Sequence, residues 1–105
     1  MDKNIFYKST ILLTGADGGI GRSFIDELLK INIKKIYITG LNINALNELS
    51  KIDKRLVPIK LDITSIEDIK NIKEKCGDIN CLINNAGIEL KTDFLSFEFC
   101  QKFDK

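Results

Sequence analysis

Two segments carry residue types that could do chemistry: Thr14-Gly15-Ala16-Asp17-Gly18-Gly19-Ile20-Gly21, which follows the apolar run Ile11-Leu12-Leu13, and Asn84-Asn85-Ala86-Gly87, which follows Leu82-Ile83. Glycines at a strand-to-helix turn let the backbone approach an anion and present the open N–H groups of the helix start to it. Gly15 suits the turn, Gly19 the close approach and Gly21 the contact between helix and strand. That chemistry is the holding of a diphosphate. The plain alternative, a helix start that happens to be rich in glycine, is weakened by the strand before it and the helical pattern after it. A P-loop is excluded, because no Gly-Lys-Ser/Thr follows. Gly15, Gly19 and Gly21 fit one glycine spacing and Gly15, Gly18 and Gly21 another, so the first segment alone leaves two families of turn open.

The elements that must position these segments alternate along the chain. Ser9 to Thr14 has the apolar run of a buried parallel strand. From Gly19 the period becomes helical, with Ile20, Phe24, Leu28 and Ile31 on one face. Ile36 to Thr39 is a second strand ended by Gly40, and Asn44 or Asn42 can cap a helix bearing Ile43, Leu46 and Leu49. Leu56 to Asp62 reads as a third strand, in which Pro58, lacking an N–H, belongs near the start or on a sheet edge. Thr64 with Glu67, or Ser65 with Asp68, offers a capping box for a helix with Ile66, Ile69 and Ile72 on one face. Cys81 to Asn84 is a fourth strand, and the tail from Thr92 to Lys105 has the look of another helix beginning.

This alternation predicts an α/β fold with a parallel sheet and right-handed crossovers, in the doubly wound strand order 3-2-1-4. Ligands of such sheets bind beyond the carboxyl ends of the strands, where the strand order reverses. Both glycine-containing segments fall there.

The bulk properties are permissive. The chain has 105 residues, 44% hydrophobic and 30% charged, with a formal net charge of +1, which suits one ordinary globular domain. A charge so near zero gives no argument for nucleic acid. No apolar run approaches the length of a membrane helix and the first eight residues lack a secretory pattern, so a cytoplasmic location with no membrane partner is expected. Cys76, Cys81 and Cys100 form no Cys-x-x-Cys and there is no histidine, so no metal site is expected and free thiols are the simple reading.

Thr-Gly-x-x-x-Gly-Ile-Gly at 14–21, then Leu61-Asp62-Ile63-Thr64, then Leu82-Ile83-Asn84-Asn85-Ala86-Gly87-Ile88, closely resembles the short-chain dehydrogenase/reductase family. The resemblance runs in register from about Thr10 to Ile88 and resolves the glycine ambiguity; an epimerase-like relative, suggested by the other spacing, is disfavoured by Asn84 to Gly87. It implies a Rossmann-type doubly wound parallel sheet, truncated after about four strands, with residues 1–105 an incomplete NAD(P)-binding domain. It further implies that the loop of Gly15, Asp17, Gly18, Gly19, Ile20 and Gly21 wraps the pyrophosphate and adenosine ribose. Asp62 and the backbone of Ile63 would meet the adenine, although an aspartate at a strand end also suits a simple cap for the next helix. Asn84, Asn85, Ala86 and Gly87 would line the cofactor near its ribose.

The cofactor stays open between NAD and NADP. The position expected to be acidic for NAD is Gly40, and the positions expected to be basic for NADP are Leu41 and Gly18. Asp17 would repel a 2′-phosphate if it faced the ribose.

The resemblance implies hydride transfer between nicotinamide and a carbonyl or alcohol substrate, by a tyrosine, a lysine four positions on and a serine. The tyrosines here, Tyr7 and Tyr37, are followed at that distance by Ile11 and Leu41, so no catalytic residue is assigned. The expectation is therefore the cofactor-binding part of an NAD(P)-dependent oxidoreductase, a fragment or truncated product that is poorly stable alone, its whole parent being a candidate oligomer. A non-catalytic nucleotide-binding or regulatory module is the competing expectation. Coding sequence continuing past Lys105 is expected to supply a serine and a Tyr-x-x-x-Lys; reading that sequence checks it, and their absence would count against the oxidoreductase.

Overall fold

A computed structural model of the chain describes residues 6–85 and the backbone of Cys100–Lys102. The elements are β1 (Thr10–Leu13), α1 (Gly19–Leu28), β2 (Lys35–Gly40), α2 (Ile43–Ser50), β3 (Leu56–Lys60), α3 (Ile66–Lys75), β4 (Cys81–Ile83) and β5 (Cys100–Lys102). They form one sheet in the order β3-β2-β1-β4-β5. The first four strands are parallel, in the expected 3-2-1-4 order, with Leu12 opposite both Tyr37 and Leu82. Pro58 pairs with Ile38 on β3, which is an edge strand, so its missing N–H leaves no ladder bond broken.

The tail corrects one expectation. Where a helix was expected to begin, Cys100–Lys102 is a strand, antiparallel to β4, with Ile83 opposite Cys100. The edge of β4 is thereby paired rather than open. Antiparallel pairing needs only a reversal of the chain, not a crossover helix, so a hydrophobic period cannot foretell it. The cysteines differ too: Cys76 is a free, buried thiol, whereas Cys81 is disulfide-bonded, a partnership that sequence spacing could not show.

Side chains alternate between two faces of unequal depth. Ile11, Leu13, Ile36, Ile38 and Ile83 point to the face covered by α1 and α2, where Phe24, Ile25, Leu28 and Leu46 pack on them. Phe6, only 1% exposed, closes that core from below, and the sequence pattern gave no sign of it. The other face carries Leu12 and Tyr37 under α3. There Ile72 is buried, but Ile66 and Ile69, expected on the same apolar face, are exposed at 72% and 44%. A single helix of ten residues does not cover the width of this sheet.

The helices begin as their sequences dictate. Asn42, not Asn44, caps α2 by accepting from the Ala45 N–H at 3.1 Å, and Ser65 caps α3 by accepting from Asp68 N–H at 3.2 Å. Asp68 does not complete a capping box; its Oδ2 accepts from the Asp62 N–H instead, at 2.9 Å. No helix among the described residues is long and apolar enough to cross a membrane.

Arg55 ties the layers together. Its guanidinium donates to the carbonyls of Leu29 and Ile31 beyond the end of α1, at 2.9 and 3.1 Å, and to both carboxylate oxygens of Asp53 at 3.0 Å. The side-chain bonds from Arg55 hold the Asp53 carboxyl down at about 2, below its ordinary 3.8. A carboxyl depressed in the folded state stabilises the fold above its unfolded value and loses that effect as pH falls toward the folded one. Urea unfolding followed from pH 5 down to pH 2 is expected to show this loss, about 1 kcal/mol after solvent screening, and Asp53→Asn to lack it. Arg55→Ala, which strips both carbonyls as well, is expected to destabilise by about 2 kcal/mol at neutral pH.

Candidate functional site

The carboxyl ends of β1, β2, β3 and β4 meet at one end of the sheet, and three separated sequence segments converge there. Thr14 is the joint. Its hydroxyl donates to Asn84 Oδ1 at 3.0 Å and accepts from the Asn85 N–H at 2.9 Å. The Asn85 amide nitrogen donates in turn to the Gly15 carbonyl at 3.0 Å, and the Thr14 N–H donates to the Ile83 carbonyl at 3.1 Å. Asn84 and Asn85 thus fix the start of the glycine turn from the neighbouring strand. Ala86 and Gly87 lie outside the described residues. Thr14 was legible only as part of a motif; its double role comes from the pairing of β1 with β4.

The turn itself is shaped by close contact. Gly15 has φ 65°, a left-handed conformation that glycine adopts without strain. At Gly21, a Cβ would meet the Gly15 carbonyl oxygen and lie 2.7 Å from Ala16 Cα, so the first turn of α1 sits directly on the loop. The Ala16 N–H donates to the Thr39 carbonyl at 2.8 Å, and the Thr39 hydroxyl donates to the Leu13 carbonyl at 2.9 Å. The loop is held on both sides before any ligand arrives.

Gly18 and Gly19 face the other way, into solvent. A Cβ at Gly19 would meet nothing within 4 Å. Unlike α2 and α3, α1 has no side-chain cap at its N-cap Gly18, and unlike α3 it has no acidic residue in its first turn. The positive end of α1 is therefore left bare beside open space, which suits an anion that comes close to the backbone.

Two cavities flank this turn, of about 560 and 310 Å³, and Asp17 lines both. The smaller is bounded by Gly15, Gly40, Leu41, Asp62 and Ile63. Leu41 and Ile63, exposed at 65% and 45%, give this cavity apolar walls. Asp62 Oδ1 accepts from both the N–H and the hydroxyl of Thr64, at 2.9 and 2.6 Å, and these bonds lower its pKa. Asp62 is thus the hub of a local turn, whereas the cap of α3 is Ser65. Its Oδ2 accepts no hydrogen bond among the described residues.

Tyr37 does contact a lysine, but not as an activated acid or base. Lys35 Nζ lies 3.0 Å from its hydroxyl, which donates to Asp78 Oδ1 at 2.9 Å. Burial raises the Tyr37 pKa, so the phenol holds its proton more firmly. The cluster also sits at the amino ends of the strands, away from the glycine turn.

Fold and site together define a doubly wound α/β protein with a nucleotide-type turn at its switch point. The chain belongs to the short chain dehydrogenase family, whose pattern matches residues 9–105. It is 36% identical over 93 residues to the NADP-dependent 3-hydroxy acid dehydrogenase of Schizosaccharomyces pombe, covering 80% of this chain and 36% of that protein. It is 33% identical over 94 residues to estradiol 17-beta-dehydrogenase 11 of Mus musculus, covering 82% and 31%. Among solved structures it resembles a short chain dehydrogenase from Burkholderia cenocepacia in complex with NADP, with a TM-score of 0.70, 32% identity and coverage of 79% and 34%. NADPH-bound carbonyl reductase from chicken fatty liver gives a TM-score of 0.70 at 28% identity, covering 83% and 37%. The chain spans about a third of the length of these relatives.

Gly21→Ala must push backbone against backbone, and is expected to destabilise the protein by roughly 2–3 kcal/mol. Denaturant unfolding checks this; a loss below about 0.5 kcal/mol would show that the helix is free to move off the loop.

Proposed function

We propose that the chain forms the dinucleotide-binding part of an NAD(P)-dependent oxidoreductase that passes hydride between nicotinamide and a carbonyl or alcohol substrate. The observation that carries this reading is the convergence of Gly15–Gly19 and Asp62–Ile63 on one pair of cavities, with Asn84 lining a third that Thr14 and Ile63 share, and with Asn84 and Asn85 tied to the turn by the Thr14 and Asn85 hydrogen bonds. The residues present fit such a group: the glycine at 19 leaves open the space a Cβ would occupy, beside an uncapped helix start.

In this reading Gly18, Gly19 and Ile20 hold the pyrophosphate through the N–H groups at the start of α1, with Gly15 and Gly21 setting the turn. Leu41 and Ile63 enclose the adenine, and Asp62 Oδ2 accepts from its amino group. Asn84 and Asn85 hold the loop in place and line the path toward the nicotinamide; Ala86 and Gly87, outside the described residues, belong to the same motif. The dinucleotide, when bound, supplies or accepts the hydride. No described residue is given a part in proton transfer. A small carbonyl or alcohol substrate, an oligomeric whole protein and a cytoplasmic location go with the same reading.

Gly19→Ala places a methyl group where the pyrophosphate would approach, while meeting no protein atom. It is expected to weaken NAD⁺ or NADP⁺ binding at least tenfold in calorimetric titration (roughly 1.4 kcal/mol). Its unfolding free energy is expected to stay within about 0.5 kcal/mol of the parent. Folded protein that binds neither NAD⁺ nor NADP⁺ would rule the reading out.

A further inference from the structure

We propose that Asp17 selects the dinucleotide: its carboxylate, delivered from the glycine turn to the end of β2, takes the ribose 2′-hydroxyl of NAD and turns away the 2′-phosphate of NADP. The inference rests on the reading of the site as a dinucleotide site and goes beyond it, since that reading leaves the two cofactors equal.

The end of the second strand of such a fold is where an acidic side chain accepts from the ribose hydroxyls. Here that position is Gly40, which has no side chain to offer. The carboxylate of Asp17 fills the vacancy. A Cβ built on Gly40 would lie 2.5 Å from Asp17 Cγ and Oδ1 and 2.7 Å from Oδ2, so the Asp17 carboxylate rests directly against the Gly40 backbone. It is fixed there by the Asn42 N–H, which donates to Oδ2 at 2.9 Å, close to the positive end of α2. Oδ1 accepts no hydrogen bond among the described residues, and Asp17 is the residue shared by the two cavities. The acid has moved from strand to loop, and glycine at 40 is the condition that lets it in.

The surrounding charge points the same way. Among the described residues lining the two cavities, Arg22 is the only cation, and its Nε already donates to Asp26 Oδ1 at 3.1 Å. Asp17 and Glu48 line the same larger cavity, and with Glu48 ion-paired to Lys51 and Arg22 to Asp26, the Asp17 carboxylate is the charge there that no ion pair among the described residues offsets, so a 2′-phosphate would meet it directly. The positions flanking the ribose that could hold a base, Gly18 and Leu41, hold none. NADP is named for the fission-yeast relative and for the Burkholderia structure, so the inference separates this chain from them.

The test is calorimetric titration of the protein with NAD⁺ and with NADP⁺, in the parent, in Asp17→Asn and in the double variant Asp17→Ala with Gly40→Asp. Gly40 is not at positive φ, so once the Asp17 carboxylate is gone an aspartate fits there without backbone strain. The parent is expected to prefer NAD⁺ by roughly 10–100-fold, the range of one charge-assisted bond. Asp17→Asn is expected to cut that preference at least tenfold, mostly by tighter NADP⁺ binding, and the double variant to restore it. Parent protein that binds both dinucleotides equally, or an Asp17→Asn variant with an unchanged ratio, would overturn the assignment of Asp17 alone. Parent protein that binds neither would overturn the site, and the inference with it.

Discussion

The Thr14 hydroxyl, shared between two consecutive asparagines of the next strand, is the interaction on which the working end of this sheet depends. It gives its proton to Asn84 and takes one from the Asn85 backbone, so both groups are satisfied by one atom at the carboxyl end of β1. The Asn85 side chain then reaches on to the Gly15 carbonyl. A parallel pair of strands ends wherever its ladder ends, and beyond that point the two chains normally diverge into their loops. Here side-chain bonds extend the pairing for two more residues. Without them Gly15 would be free to swing, and its left-handed backbone and the seat for Gly21 would lose their fixed reference.

The same economy explains why the loop needs support from β2 as well. Within Gly15–Gly18 the one backbone bond is a long one, from the Gly18 N–H to the Gly15 carbonyl at 3.4 Å, and buried backbone groups must find partners. Ala16 finds one in the Thr39 carbonyl, and the Thr39 hydroxyl reaches back to Leu13, lacing β1 and β2 just below the turn. The deep face under α1 and α2 backs this lacing with a dry core, whereas the face under α3 is thinner and leaves Ile66 and Ile69 exposed. Rigidity is therefore concentrated on the side of the sheet that presents the bare helix start. In the proposed reading that is where a polyanion is met, by groups already in position, because reorganising them on binding would offset the gain.

Much of this was legible in the sequence, for identifiable reasons. Buried parallel strands announce themselves as apolar runs, and their alternation with helical periods, joined by right-handed crossovers, favours the 3-2-1-4 order that the sheet adopts. Gly15 and Gly21 were readable because each answers a steric demand that no other residue meets. What stayed hidden was whatever depends on side chains meeting across strands. The grip of Thr14 on Asn84 and Asn85, Phe6 beneath the core and Arg55 on the end of α1 join residues far apart in the chain, and periodicity is blind to such pairs. The antiparallel β5 and the outward Ile66 and Ile69 escaped for the opposite reason: local pattern suggested a helix in one case and a buried face in the other, and the extent of the sheet decided otherwise.

Asp17 shows why a missing residue at a motif position is not a missing function. Read by position, the strand end at Gly40 lacks its acid and the site looks undecided. Read by space, a carboxylate stands against Gly40, and the glycine is what admits it. The two residues constrain each other sterically: any side chain at 40 would displace Asp17, and any Asp17 held elsewhere would leave the strand end bare. An ordinary surface loop would place an aspartate in water, where the gain from one more hydrogen bond is small. Asp17 is instead half-buried and aimed by a backbone N–H at the start of α2, so its charge is presented in one direction rather than dispersed. A fixed, oriented charge discriminates between a hydroxyl and a phosphate because it attracts the first and repels the second from the same point.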